Sequence, residues 1–428
     1  MAEITDDTTA TLQRRTLTIL FASQVAGAVG MSIGMSVGAL LAADMVSVGV
    51  SGLAQSSAVV GAALLAIPAT RLVRRKGRGA SLAAAYTIAA VGGALIVLAA
   101  TAPAIPLLFV GLFLFGGGTT AGLQARYAAV DLAPPARYGR HLSLIVWAST
   151  IGGVVGPNLA AAAGRMFAPW GVPALAAPFV LSTALFIATA VFLVALLHPD
   201  PSRVARERAA GRVGVDASTD TAAAKSARSM RNAFKVIRAN PAARLGVAAT
   251  VVGHVVMVGV MAMTPVHIRA GDHDAADTLR IVGIVLSLHV AGMYAFAPLT
   301  GWSSDRFGRR PVILSGVALL VAACVVAGTA GHDSARLAVG LVLLGLGWSA
   351  TMVPGSALLS ESVDATVRPS VQGVSDMIMG LAAALAGALS GVVVYAFGYP
   401  MLTIAAALTT LPLLVLALRA PMRRTLTA

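Results

Sequence analysis

The chain has 428 residues, of which 57% are apolar and only 11% charged, and its mean hydropathy is +0.85. Soluble domains carry about 25% charged residues, so the composition argues against a soluble enzyme or binding domain. A net charge of +14 would suggest a nucleic-acid partner in a soluble protein. In a membrane protein it first has to be tested against a sidedness of Lys and Arg. The lone cysteine, Cys324, excludes an intramolecular disulfide and any multi-cysteine metal cluster.

A membrane-spanning helix needs about 20 mostly apolar residues. In chain order such runs fall at 16–43, 47–70, 80–101, 104–130, 141–164, 173–197, 244–268, 279–302, 312–330, 336–360, 371–397 and 401–419. The first is too long for a signal h-region, so no cleavable leader is expected. Twelve spans put both termini on one side. Of the 31 basic residues, all but Arg165, Arg269, Arg280 and Arg336 fall on that side. The split places both termini in the cytoplasm and leaves nucleic-acid binding without support.

Segment 198–243 is the only long polar stretch, and it divides the spans six and six. It reads as a cytoplasmic linker with a surface helix near 228–238, between an N-terminal bundle at 1–197 and a C-terminal bundle at 244–428. The halves repeat. A shift of 231 residues lays Gly308, Arg306 and Arg309 over Gly77, Arg75 and Arg78. The loop Gly301-x-x-x-Asp305-Arg306-x-Gly308-Arg309-Arg310 resembles the signature loop of the major facilitator superfamily. The resemblance covers nearly the whole chain. It implies an all-α membrane protein with twelve transmembrane helices in two pseudo-symmetric six-helix bundles. In the loop, Gly308 permits a tight turn, the arginines meet an anionic leaflet, and Asp305 is positioned to latch a gate. The first copy departs, with Arg74 in place of the Asp and Thr70 in place of the first Gly.

Several stripes of small residues predict close helix packing. They are Gly30, Gly34 and Gly38 in span 1, Gly152-x-x-x-Gly156-Pro157 in span 5, and Gly380, Ala384, Gly387 and Gly391 in span 11. The span 5 element resembles the Gly/Pro motif of the antiporter branch of the superfamily.

Ionisable residues inside spans are functional candidates by default. No Asp or Glu falls mid-span; Asp44, Asp131, Glu361 and Asp376 stand at ends. What lies inside is soft: His254, Met257 and Met261 on one face of span 7, His289 and Met293 in span 8, and Met31 and Met35 in span 1. Thioether and imidazole suit Cu(I). The pairs Met257-x-x-x-Met261 and His289-x-x-x-Met293 are similar to those of the CcoA-like transporters, a family that contains bacterial copper importers. Gln124-Ala-Arg126-Tyr127, Gly156-Pro157-Asn158 and Thr264-Pro265-Val266-His267 add to the likeness. The resemblance implies that Met257, Met261, His289 and Met293 relay the metal.

Other features stay open. Arg126, with Gln124 and Asn158, is suited to an anionic or amide group, and Arg126 equally to Asp131. The loop after span 7 gathers His267, Asp272, His273, Asp274 and Asp277, which is either a cation-collecting cluster or a solvated loop. No nucleophile–base pair, P-loop or carboxylate pair points to an enzyme. The leading expectation is a monomeric inner-membrane secondary transporter importing copper as cargo, with no cofactor. The alternative is a transporter of a small organic molecule, either an exporter or a vitamin-like importer. A membrane sensor without transport is a third, supported only by the altered loop at Arg74.

Overall fold

The computed structural model describes residues 6–102, 104–133, 138–212, 222–271, 274–364 and 367–419, and all regular structure among them is helical. In chain order the helices are α1 (Asp6–Met45), α2 (Val48–Lys76), α3 (Arg78–Thr101), α4 (Ile105–Phe115), α5 (Gly117–Ala128), α6 (Tyr138–Phe167), α7 (Ala177–Leu196), α8 (Pro201–Arg212) and α9 (Ala222–Ala239). The second half follows with α10 (Pro241–Arg269), α11 (Ala275–Tyr294), α12 (Ala297–Phe307), α13 (Arg309–Gly328), α14 (Ser334–Glu361), α15 (Arg368–Leu408) and α16 (Leu411–Arg419). Among the described residues, ten helical stretches are long and apolar enough to cross a membrane. One of them, Ser370–Arg419, holds both of the last two expected spans. The break expected between them is a kink at Gly398 (φ 80°) inside α15, beside Pro400, where an L side chain would be strained. The fifth expected span lies in α6.

The described residues group into two compact units, the first within Met1–Ser47, Ser57–Asp216 and Asp272–Ser287, the second within Val48–Ser56, Ala217–Gly271 and Leu288–Ala428. In the first, α1 packs on α6 and α7, and α3 on α4 and α7. Lipid tails give no hydrophobic drive between spans, so helices must associate through close fit. The glycine stripes supply that fit, except at Gly380, expected to pack but with nothing within 4 Å of a Cβ placed there. Phe115 and Phe179, whose rings lie 5.5 Å apart, fill the space over Gly34. Gly152 and Gly156 of α6 meet the α1 backbone around Ala28, Val29 and Ile33. In the second unit α13 packs on α14, and α10 on α14 and α15. There Gly52 and Gly391 bring α2 and α15 to backbone contact, and Ser56 Oγ donates to Ala384 O at 2.6 Å.

The linker is more ordered at its start than its two prolines suggest. Asp200 is the N-cap of α8, accepting from Ser202 N (3.0 Å) and Arg203 N (3.3 Å), while Pro201 opens the helix. Its other oxygen accepts from Gly79 N at 2.8 Å, so one carboxylate serves the first turns of both α8 and α3. The surface helix expected near 228–238 is the second half of α9. Residues 213–221 of the linker lie outside the described residues.

Candidate functional site

The two repeated loops are built alike. Gly77 (φ 96°) and Gly308 (φ 92°) make the same turn, between α2 and α3 and between α12 and α13. The arginine after each turn then pairs with an acid at the end of a neighbouring helix. Arg78 Nε and Nη2 donate to Asp131 Oδ2 and Oδ1 at 2.8 and 3.2 Å, and Nη1 donates to Gln124 Oε1 at 2.9 Å. Arg309 Nη2 donates to Glu361 Oε1 at 2.6 Å, and Nη1 to Ser304 Oγ at 2.8 Å and to Asp305. Asp305 therefore pairs with its own helix neighbour four residues on. Arg310 Nη2 donates to Leu418 O at 2.9 Å, and Arg306 lies over the rings of Trp302 and Phe307. Gly301 has open space above its Cα. Asp131 is held by Arg78, which corrects the expectation that Arg126 might take it. The 231-residue repeat contains the missed signal: Asp131 shifted by that offset lands beside Glu361.

Gln124 belongs to this network too, because its Nε2 donates to Thr70 Oγ1 at 3.4 Å. Arg126 belongs elsewhere. Gly122, one turn before it on α5, lies against the Gln24 side chain of α1. Gln24 Nε2 donates to Ser149 Oγ of α6 at 2.8 Å. Three residues before Gln24, Phe21 stacks on Trp147 of α6 with ring centroids 6.1 Å apart. Trp147 is 59% exposed, whereas Tyr127 stands on the other side of α5, with the Arg78 guanidinium 6.0 Å from its ring centroid. Arg126 Nε and Gln24 Oε1 are buried with no hydrogen-bond partner among the described residues. The seam of α1, α5 and α6 thus carries an open Trp147 ring and buried polar atoms without a partner among the described residues. Left without a partner inside the protein, such atoms each carry a desolvation cost. Asn158 is further along α6, where its Nδ2 donates to Val154 O (2.9 Å) and Ser287 Oγ (2.6 Å).

The soft residues divide between the units. In the first, Met31 packs against Gly118, and Met35 is half-buried on the same helix. In the second, His289 is fully buried, with Nδ1 2.8 Å from Leu341 O of α14. A carbonyl only accepts, so Nδ1 carries the proton. Nε2 is left as a buried lone pair without a partner among the described residues. Met257 and Met293 are buried as well, and Met261 is half-buried. His254 Nδ1 accepts from Trp348 Nε1 at 3.1 Å. The two histidines engage α14 at residues seven apart, about 10 Å along its axis. At Gly345, between those points, a Cβ would collide with the His289 carbonyl oxygen, so α11 and α14 touch backbone to backbone.

In the outer-loop cluster, Asp272 and His273 lie outside the described residues. His267 stacks on Tyr399, with centroids 4.2 Å apart, and its Nε2 is 2.8 Å from Gly331 O. Asp274 Oδ1 accepts from Asp277 N. Among the described residues no three His, Cys, Asp or Glu side chains gather as a metal site.

Long apolar helices, paired turn-and-arginine loops and a polar aromatic face define a multi-pass membrane transporter. The family model of the Major Facilitator Superfamily matches residues 19–279 and 273–426, and the chain belongs to that family. It is 36% identical over 405 residues to an uncharacterized MFS-type transporter, YddS of Bacillus subtilis, covering 94% of this chain and 90% of that one. It is 27% identical over 409 residues to the riboflavin transporter RfnT of Brucella anthropi, covering 92% of each. Its fold is similar to the crystal structure of a bacterial homolog to the human lysosomal transporter Spinster, with a TM-score of 0.71 at 15% identity, covering 95% of this chain and 96% of that one. The protein is a secondary transporter and not an enzyme.

Proposed function

We propose that this transporter carries a small planar organic solute, neutral or anionic. The two halves, 1–197 and 244–428, give alternating access about the linker 198–243. The chain is read as a monomer of the inner membrane with both termini cytoplasmic. The observation that carries the substrate class is the face of α1, α5 and α6. Phe21 and Trp147 offer ring surface, while Arg126 and Gln24 carry buried polar atoms without a partner among the described residues. The only acids between residues 16 and 164 are Asp44 and Asp131, both at helix ends. An organic cation would find no counter-charge there and would meet Arg126. A solute with carbonyl or carboxylate acceptors on a flat ring suits both features. The riboflavin transporter among the relatives makes riboflavin a fitting first probe. Thermal unfolding of the purified protein tests this. Riboflavin is expected to raise the Tm of the wild type and not of Trp147→Ala. A shift produced by copper(I) alone would contradict it.

Copper import is the second reading, and His289 favours it. Ligating histidines commonly donate their second ring N–H to a carbonyl, the state in which Leu341 O holds this ring. Met257, Met261 and Met293 would supply thioethers from the same unit, and His254, Met31 and Met35 are further candidates. We rank it second because His289 is fully buried where α11 and α14 are in backbone contact, whereas the Trp147 ring is open.

A further inference from the structure

Helix α9 of the linker has a layered circumference that transport chemistry does not require. Its side chains from Met230 onward are described. With successive residues about 100° apart, one side carries Ala233 and Ile237. Both are buried with Ala243 and Val247 of α10, Leu359 of α14 and Val371 of α15. Next around the helix come Met230 and Phe234, an i, i+4 pair that is 42% and 45% exposed. Beyond them stand Arg238, Arg231 and Lys235, all exposed, and then Asn232. The order is core, open apolar edge, cationic stripe, polar back. From Ala222 to Ala239 there are five Lys or Arg and no Asp or Glu. The elements packed against α9 add Arg244 and Arg368 at that end, against Glu361, Asp364 and Asp376.

Neither water nor protein accounts for this order. A helix solvated on its outer side gains nothing from an exposed Met–Phe pair. A helix in the plane of a membrane interface needs an apolar edge dipping toward the acyl chains and cations beside it at headgroup depth. Asn240 fixes the end of α9 to the membrane-spanning bundle. Its Nδ2 donates to Ser362 O at 2.7 Å, and its Oδ1 caps α10 at Ala242 N and Ala243 N. We infer that α9 is an anionic-phospholipid binding helix. Met230 and Phe234 enter the interface, and Arg231, Lys235 and Arg238 hold phosphate headgroups. The cytoplasmic side that the charge split assigns to the linker is the side where anionic lipid is expected.

The test is hydrogen–deuterium exchange of the full chain in lipid nanodiscs, read on peptides covering 230–239. One disc is phosphatidylcholine alone, and the other contains about one-third phosphatidylglycerol. Exchange is expected to be slower by about tenfold or more in the anionic disc, with the difference shrinking in high salt. The triple variant Arg231→Gln, Lys235→Gln, Arg238→Gln should abolish the difference. Arg231→Lys with Arg238→Lys should keep it. Unchanged exchange of α10 and α15 peptides shows that the variants fold. Equal exchange in both discs, or a difference that survives the triple variant, would overturn the inference. Both leaflets of a disc carry the same lipid and no substrate is present, so the result stands apart from the substrate reading and from the orientation.

Discussion

Arg78 makes three charge-assisted contacts, two to Asp131 and one to Gln124, with both charged side chains only 16% exposed. Removing one partner leaves the other desolvated without compensation. Asp131→Ala should therefore cost about 2 kcal/mol of stability, read as a lower Tm in detergent. Asp305→Ala should cost less, since its carboxylate is 72% exposed and Arg309 keeps Glu361. Equal losses from the two substitutions would contradict this ranking. At this scale the sequence was informative about residue type and weak about partners. Spacing put His254, Met257 and Met261 on one face, but the Trp348 that bonds His254 comes from α14, far along the chain. Arg126 and Gln124 are two residues apart, yet Gln124 bonds Arg78 and Thr70 while Arg126 Nε has no partner among the described residues.

Among elements, the contacts are set by what is absent from glycine. A Cβ at Gly52 would collide with the Gly387 carbonyl oxygen of α15, and the nearest alternatives there are also backbone. A carbonyl cannot rotate aside, so Gly52→Ala should force α2 from α15. The expected cost is about 1–3 kcal/mol. Gly380→Ala on α15 meets nothing within 4 Å and should leave Tm unchanged or slightly raised. A Tm for Gly52→Ala matching that of Gly380→Ala would refute the close-contact account. The spans were legible because a run of about 20 apolar residues has one physical use. Their ends were less so. The segment from 198 reads as a polar linker, yet Pro201 starts α8 because Asp200 caps it. The kink at Gly398 joins two expected spans into one element.

For the whole molecule, membership of the superfamily accounts for the helices and the paired loops, and the 231-residue repeat accounts for their likeness. On the proposed reading substrate choice rests on a few side chains whose neighbours lie far off in sequence, so composition and spacing point to methionine and histidine and not to the open Trp147 ring. The central claim is that the face of α1, α5 and α6 selects a planar organic solute. Flux into proteoliposomes, measured side by side for labelled riboflavin and copper(I), tests it most directly. The account predicts saturable riboflavin flux that Trp147→Ala and Arg126→Ala abolish and His289→Ala leaves intact. Copper(I) flux without riboflavin flux, lost in His289→Ala and retained in Trp147→Ala, would contradict it.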